Sequence, residues 1–175
     1  MSLLVALRCS INHRVRAGRG CVGTWGTGVF ASDYAQDYLD ELAELPEQQR
    51  LAELTRTLGI AAEEPASMRD QGLFGAIVLA AVGVVAASLP LGSDLLPDEE
   101  NEFEPQGWPL SQSAPVPLVA LARRALAVVG APGSEWRNGW VSESDGIEAG
   151  RTVQWLDRVL TGEHKHDGVT GGTDQ

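Results

Sequence analysis

A chain of 175 residues, 43% apolar and 21% charged, is long enough for one hydrophobic core and too apolar for a disordered polymer. Its formal charge of −11 sets its field against phosphate backbones and anionic lipid. Nucleic-acid binding is thereby excluded, and a basic protein becomes the partner its charge suits.

The charge is uneven along the chain. Residues 1–21 hold Arg8, Arg14, Arg16 and Arg19 and no acid, which leaves nine basic and twenty-four acidic residues, a net of −15, from Val22 onward. Both cysteines, Cys9 and Cys21, lie in that basic stretch, so disulfides and thiolate metal sites are excluded beyond it, as fits a reducing cytoplasm. The apolar run Leu3–Leu7 precedes the arginines, the reverse of a secretory signal. Valine is what the bacterial start codon GTG encodes internally, so Val22 is expected to be the initiator and 1–21 a foreign or disordered basic leader.

In Ser32–Leu45, Tyr34, Tyr38, Leu42 and Leu45 recur at helical spacing, with acids on the other faces and Ser32 or Asp33 placed to cap. Pro46 ends this helix and opens a second, in which Leu51, Leu54 and Leu58 form a stripe that Gly59 is expected to stop. Joined so tightly, the two are expected to pack antiparallel. After a connection over Ala62–Pro65, the nineteen residues Leu73–Leu91 carry no charge. Their length admits a single membrane span, but they are rich in alanine and glycine, include Pro90 and lack a following arginine cluster, which favours a buried central helix.

Residues 92–117 are rich in proline, serine and acid, without periodicity, and read as a long surface loop whose acid run Asp98–Glu104 lacks the ligand spacing of a calcium loop. Pro117–Val129 repeats the helical pattern, with Leu118, Leu121, Ala125 and Val128 or Val129 inward and Arg123 and Arg124 facing elsewhere. Ser134 caps a short turn whose Trp136 and Trp140, four apart, are expected on one face as core or lid packing. A last helix is expected over Glu148–Leu160, with Val153, Leu156 and Val159 or Leu160 inward, and the tail 162–175 is expected to be disordered. The sum is an all-α fold: a single domain, 22–161, built as an irregular bundle of about five helices.

Chemistry-bearing motifs are scarce. Gly23, Gly26 and Gly28 are spaced G-x-x-G-x-G, which matches neither the dinucleotide fingerprint nor the phosphate loop. GTWGTGVF reads instead as a glycine-permitted turn that docks Trp25 and Phe30 into the bundle. The three histidines, His13, His164 and His166, fall in the leader and the tail, which removes the commonest general base from the body. Asp33 and Asp37 share a helix face and are the one carboxylate pair singled out for acid–base work or a hard cation; a solvated face is the plainer reading. No cofactor or metal site is expected.

Gly23–Leu42, GTWGTGVFASDYAQDYLDEL, resembles the opening of a bacterial family, domain of unknown function 4259, whose members begin with a GTWGTGxF signature and enter an acidic helix. Weaker similarity runs on through the alanine-rich central segment and SEWRNGW, Ser134–Trp140. The resemblance implies a small bacterial helical domain and brings no activity with it.

These readings point to a non-enzymatic cytoplasmic protein-binding module that engages, and for a toxin or effector would neutralise, a basic partner through its acidic face. Trp25, Asp33 and Asp37 form the expected binding patch. The alternatives are a carboxylate- or metal-dependent enzyme built on Asp33 and Asp37, and a membrane protein spanning at 73–91.

Overall fold

The computed structural model describes residues 26–95 and 110–162; the basic leader, Trp25, the acid run 98–104 and the tail beyond Gly162 lie outside the described residues. Among the described residues six α-helices follow in order: α1 (Asp33–Ala43), α2 (Glu47–Glu63), α3 (Gly75–Ala87), α4 (Val116–Val129), α5 (Glu135–Asn138) and α6 (Glu143–Thr161). Short 3-10 turns span Pro65–Ser67 and Pro90–Leu95, and the described residues contain no β-strand. The architecture is the expected all-α bundle.

α3 organises it. Ten of its thirteen residues are buried, on every side of the helix, which is the mark of a helix surrounded by others. α1, α2, α4 and α6 all pack against it. At 1.5 Å per residue α3 is about 20 Å long, short of the ~30 Å hydrocarbon core of a bilayer. No helix among the described residues is long and apolar enough to cross a membrane. The uncharged stretch is therefore a central helix flanked by non-helical residues, because Pro90 starts a tighter turn after Ser88.

α1 begins where Ser32 caps it, its Oγ accepting from the Ala35 amide at 3.1 Å, an interaction worth about 1 kcal/mol. Its buried face is Ala35, Tyr38, Leu39 and Leu42, so the stripe is rotated from the expected one and Tyr34 is left on the surface. α1 packs mainly on α3 and α2 mainly on α4, with slight contact between them. The two helices, expected to pack antiparallel, thus touch only slightly, and each apolar stripe is satisfied mainly by a different neighbour.

α2 runs through Gly59, where a stop was expected, and ends at Glu63. One interior glycine costs about 1 kcal/mol of helix propensity, less than the packing of Leu58 and Ala61 on either side returns, whereas Pro65 disfavours helical backbone at the preceding residue. The expected loop is also revised at both ends. Gly92 is buried in the 3-10 turn against α3, and Val116 already belongs to α4. Between them, the Ala114 amide donates to Ser88 Oγ at 3.0 Å, and the Ser111 hydroxyl bonds the Glu47 carboxylate, so residues 110–115 are held to α3 and α2.

Arg123 and Arg124 lie on the outer face of α4, as expected, and reach Asp157 of α6 at 3.6 Å and Glu63 of α2 at 3.0 Å. Both pairs are about half exposed and add little to stability.

The Tyr38 hydroxyl is buried without a hydrogen-bond partner of good geometry among the described residues. Burial pushes this phenol well above the ordinary tyrosine value; the neighbouring Thr57 hydroxyl offsets the shift in part, and the Glu53 carboxylate adds to it. The neutral form is thus favoured by folding, and its contribution is fully present below about pH 10 and is lost as pH rises above that. Tyr38→Phe is expected to leave stability at neutral pH within about 1 kcal/mol and to flatten its decline above pH 10, which otherwise approaches about 1.4 kcal/mol per pH unit. Denaturant melts of both proteins at pH 8 and pH 11 measure the difference. Parallel declines would contradict this account of the buried phenol.

Candidate functional site

Residues 26–31 turn back over the middle of α3. The Ala31 amide donates to the Gly28 carbonyl at 3.2 Å, and Gln36 Nε2 donates to the Phe30 carbonyl at 2.8 Å, closing the turn onto α1. Phe30 packs against the core, as expected, and Val29 beside it is buried. Their seat is Gly83. A Cβ there would lie 2.5 Å from Val29 Cγ1 and 2.8 Å from two Phe30 ring carbons, closer than such atoms approach, so glycine supplies the room. From the other side, Thr152 of α6 donates its hydroxyl to the Thr27 carbonyl at 3.2 Å.

This turn forms one wall of a cleft of about 820 Å³. It is lined besides by Phe74 and by Gly75, Ala76 and Leu79 of α3, by Glu135, Trp136 and Gly139 of the α5 region with Trp140 and Val141, and by Asp145 and Glu148 of α6. α5 is held in place by Ser134, whose Oγ accepts from the Arg137 amide at 3.1 Å and donates to the Val129 carbonyl at 2.6 Å. Gly139 terminates that helix, so Trp140 lies beyond it rather than on its face. The two indoles meet edge to face, with centroids 5.5 Å apart and planes at 89°. Trp140 Nε1 is buried without a hydrogen-bond partner among the described residues.

α6 starts at Glu143, five residues before the expected Glu148, and that extra turn brings Asp145 to the cleft. The signal was in the sequence: Ser142 followed three residues later by Asp145 is a capping pattern, and Ser142 Oγ accepts from the Asp145 amide at 3.3 Å.

The balance of charge in the cleft is negative. Glu135, Asp145 and Glu148 contribute three carboxylates, none of them in an ion pair among the described residues. The nearby basic side chain, Arg137, is turned onto the backbone of α6, where its Nη1 donates to the Gly146 carbonyl at 3.0 Å. Glu135 and Asp145 also sit in the first turns of their helices, and α3 opens here without an acidic residue or a side-chain cap. A helix N-terminus carries at most about half a positive charge, so three such ends cannot cancel three carboxylates.

Exposed apolar side chains gather on the same side. Tyr34 and Phe74 stack at 4.6 Å, and both are more than a third exposed; Phe74 and the fully exposed Val141 line the cleft itself. Of the expected patch, Trp25 lies outside the described residues, and Asp33 and Asp37 are on α1, off the cleft that their neighbour Ser32 lines. No group of three or more histidine, cysteine, aspartate or glutamate side chains among the described residues is placed to hold a metal ion.

The fold and site define a small helical-bundle protein with an acid-rimmed aromatic cleft. Residues 23–153 match the family described as Domain of unknown function (DUF4259), and the chain belongs to that family. No curated protein and no solved structure is significantly similar to it.

Proposed function

We propose that this protein is a non-enzymatic binding module of the bacterial cytoplasm whose acid-rimmed cleft engages a basic protein. The observation that carries the reading is the convergence of Glu135, Asp145 and Glu148 on one cleft with two tryptophans and an exposed apolar rim. Carboxylates without ion-pair partners attract a basic surface at long range, and exposed aromatic area supplies contact energy once the surfaces meet. The net charge of −15 from Val22 onward extends the same attraction over the rest of the body.

The experiment is capture from host lysate on the full chain, with a parallel column carrying Glu135→Gln, Asp145→Asn and Glu148→Gln together. The reading predicts a basic protein retained at low salt in near-equal amount, released as salt rises, and retained poorly by the triple variant. Nothing retained at low salt, or a protein held equally by both columns, would contradict it.

A further inference from the structure

The proposed function names a basic partner; the cleft's shape says more about what part of that partner enters it. Three independent features meet there. Two indoles that meet edge to face both line the cleft, and an indole face attracts a cation placed within about 6 Å of its centre. Three carboxylates line the same cleft: Glu135, next to Trp136 in the chain, and Asp145 and Glu148 of α6. The cavity, about 820 Å³, has room for a side chain and the backbone that carries it.

We infer that the cleft is the seat of one arginine side chain of the partner, its guanidinium lying against Trp136 and Trp140 and neutralised by Glu135, Asp145 and Glu148. Arginine suits this seat better than lysine. A planar, weakly hydrated guanidinium stacks on indole and keeps its edge donors free for carboxylates, whereas an ammonium gives up more hydration and has no plane to stack. The residues flanking the arginine then lie on the apolar rim of Phe74 and Val141. This inference rests on the binding-module reading, and it deepens that reading by naming the group recognised.

The position of Trp136 is set by Gly75, where an added Cβ would come 2.7 Å from Trp136 Cβ. Gly75→Ala, in the first turn of α3, therefore displaces Trp136 together with the α5 backbone that carries it, without changing any charge, and its melting temperature is measured beside its affinity.

The test uses the full chain and N-acetyl-arginine amide, with N-acetyl-citrulline amide as its neutral isostere, read on the tryptophan indole N–H signals by NMR. Trp136→Phe and Trp140→Phe assign the two signals. The seat predicts that the arginine compound moves the signals of Trp136 and Trp140 to saturation while citrulline does not. It also predicts at least about tenfold weaker binding in the Glu135→Gln, Glu148→Gln double variant and a comparable loss in Gly75→Ala. Equal response to citrulline, movement confined to other tryptophans, no response at all, or affinity unchanged in the exposed-carboxylate variants would each overturn it. Failure here is distinguishable from failure of the broader reading: a basic protein captured by wild type and lost by the triple variant would still stand if the arginine compound did not bind.

Discussion

Gly83→Val is expected to destabilise the protein by about 3 kcal/mol and to lower its melting temperature by about 10 °C. The cause is local. The new side chain would occupy the space of Val29 Cγ1 and the Phe30 ring, so the turn over residues 26–31 must lift from α3 or α3 must shift in a core that has no slack. Ala127→Val, on the exposed face of α4, provides the control, since a β-branched residue in a helix alone costs about 0.6 kcal/mol. Thermal melts of the two variants decide the point, and a Gly83→Val loss no greater than the control would show that the turn is not seated on α3. Because that turn forms a wall of the cleft, the same variant is expected to lose binding.

Leu156→Ala is expected to cost between about 2 and 5 kcal/mol, measured by denaturant unfolding. Leu156 is fully buried where α6 packs on α3 and α4, and its truncation leaves a cavity that rigid helices cannot close. α6 also carries Asp145 and Glu148, so loosening it is expected to weaken the cleft before the whole bundle unfolds. A cost below about 1 kcal/mol would place Leu156 outside the structural core.

Much of the bundle was legible because helical periodicity and helix-end chemistry are local. Leu54 and Leu58 of α2, Leu118 and Leu121 of α4, and Leu156 and Val159 of α6 are inward as their spacing requires. Ser32 and Ser134 cap the helices they were expected to cap. The misreadings came where two signals competed. Gly59 reads as a stop because glycine disfavours helix, yet packing on both sides of it carries α2 on to Glu63. Tyr34 fits the helical stripe by spacing, but Ala35 and Leu39 fill the side against α3, so the tyrosine stacks on Phe74 instead.

The candidate site was less legible, for a different reason. Phe74 precedes α3, Trp136 lies on α5, and Asp145 and Glu148 are one turn apart on α6; nothing local marks these three segments as neighbours. Asp33 and Asp37 stand out because four-residue spacing is visible in a sequence; Asp145 and Glu148 are also one turn apart, but a helix expected to start at Glu148 hides that pair, and only tertiary packing brings Glu135 to the same cleft. The aromatic pair was visible as a spacing, but Gly139 ends α5 before Trp140, so its edge-to-face geometry arises from a break in the helix rather than from a shared face.

The most direct test of the cleft as a basic-protein site is the affinity of the full chain for an arginine-rich peptide, measured by calorimetry at low and moderate salt and repeated with the Glu135→Gln, Asp145→Asn, Glu148→Gln variant. The account predicts binding that weakens as salt rises and falls by at least about tenfold in the variant, with the variant's melting temperature close to wild type. Equal affinity of the two proteins at low salt would contradict it, because the peptide would then be held by the general acidity of the body and not by the cleft.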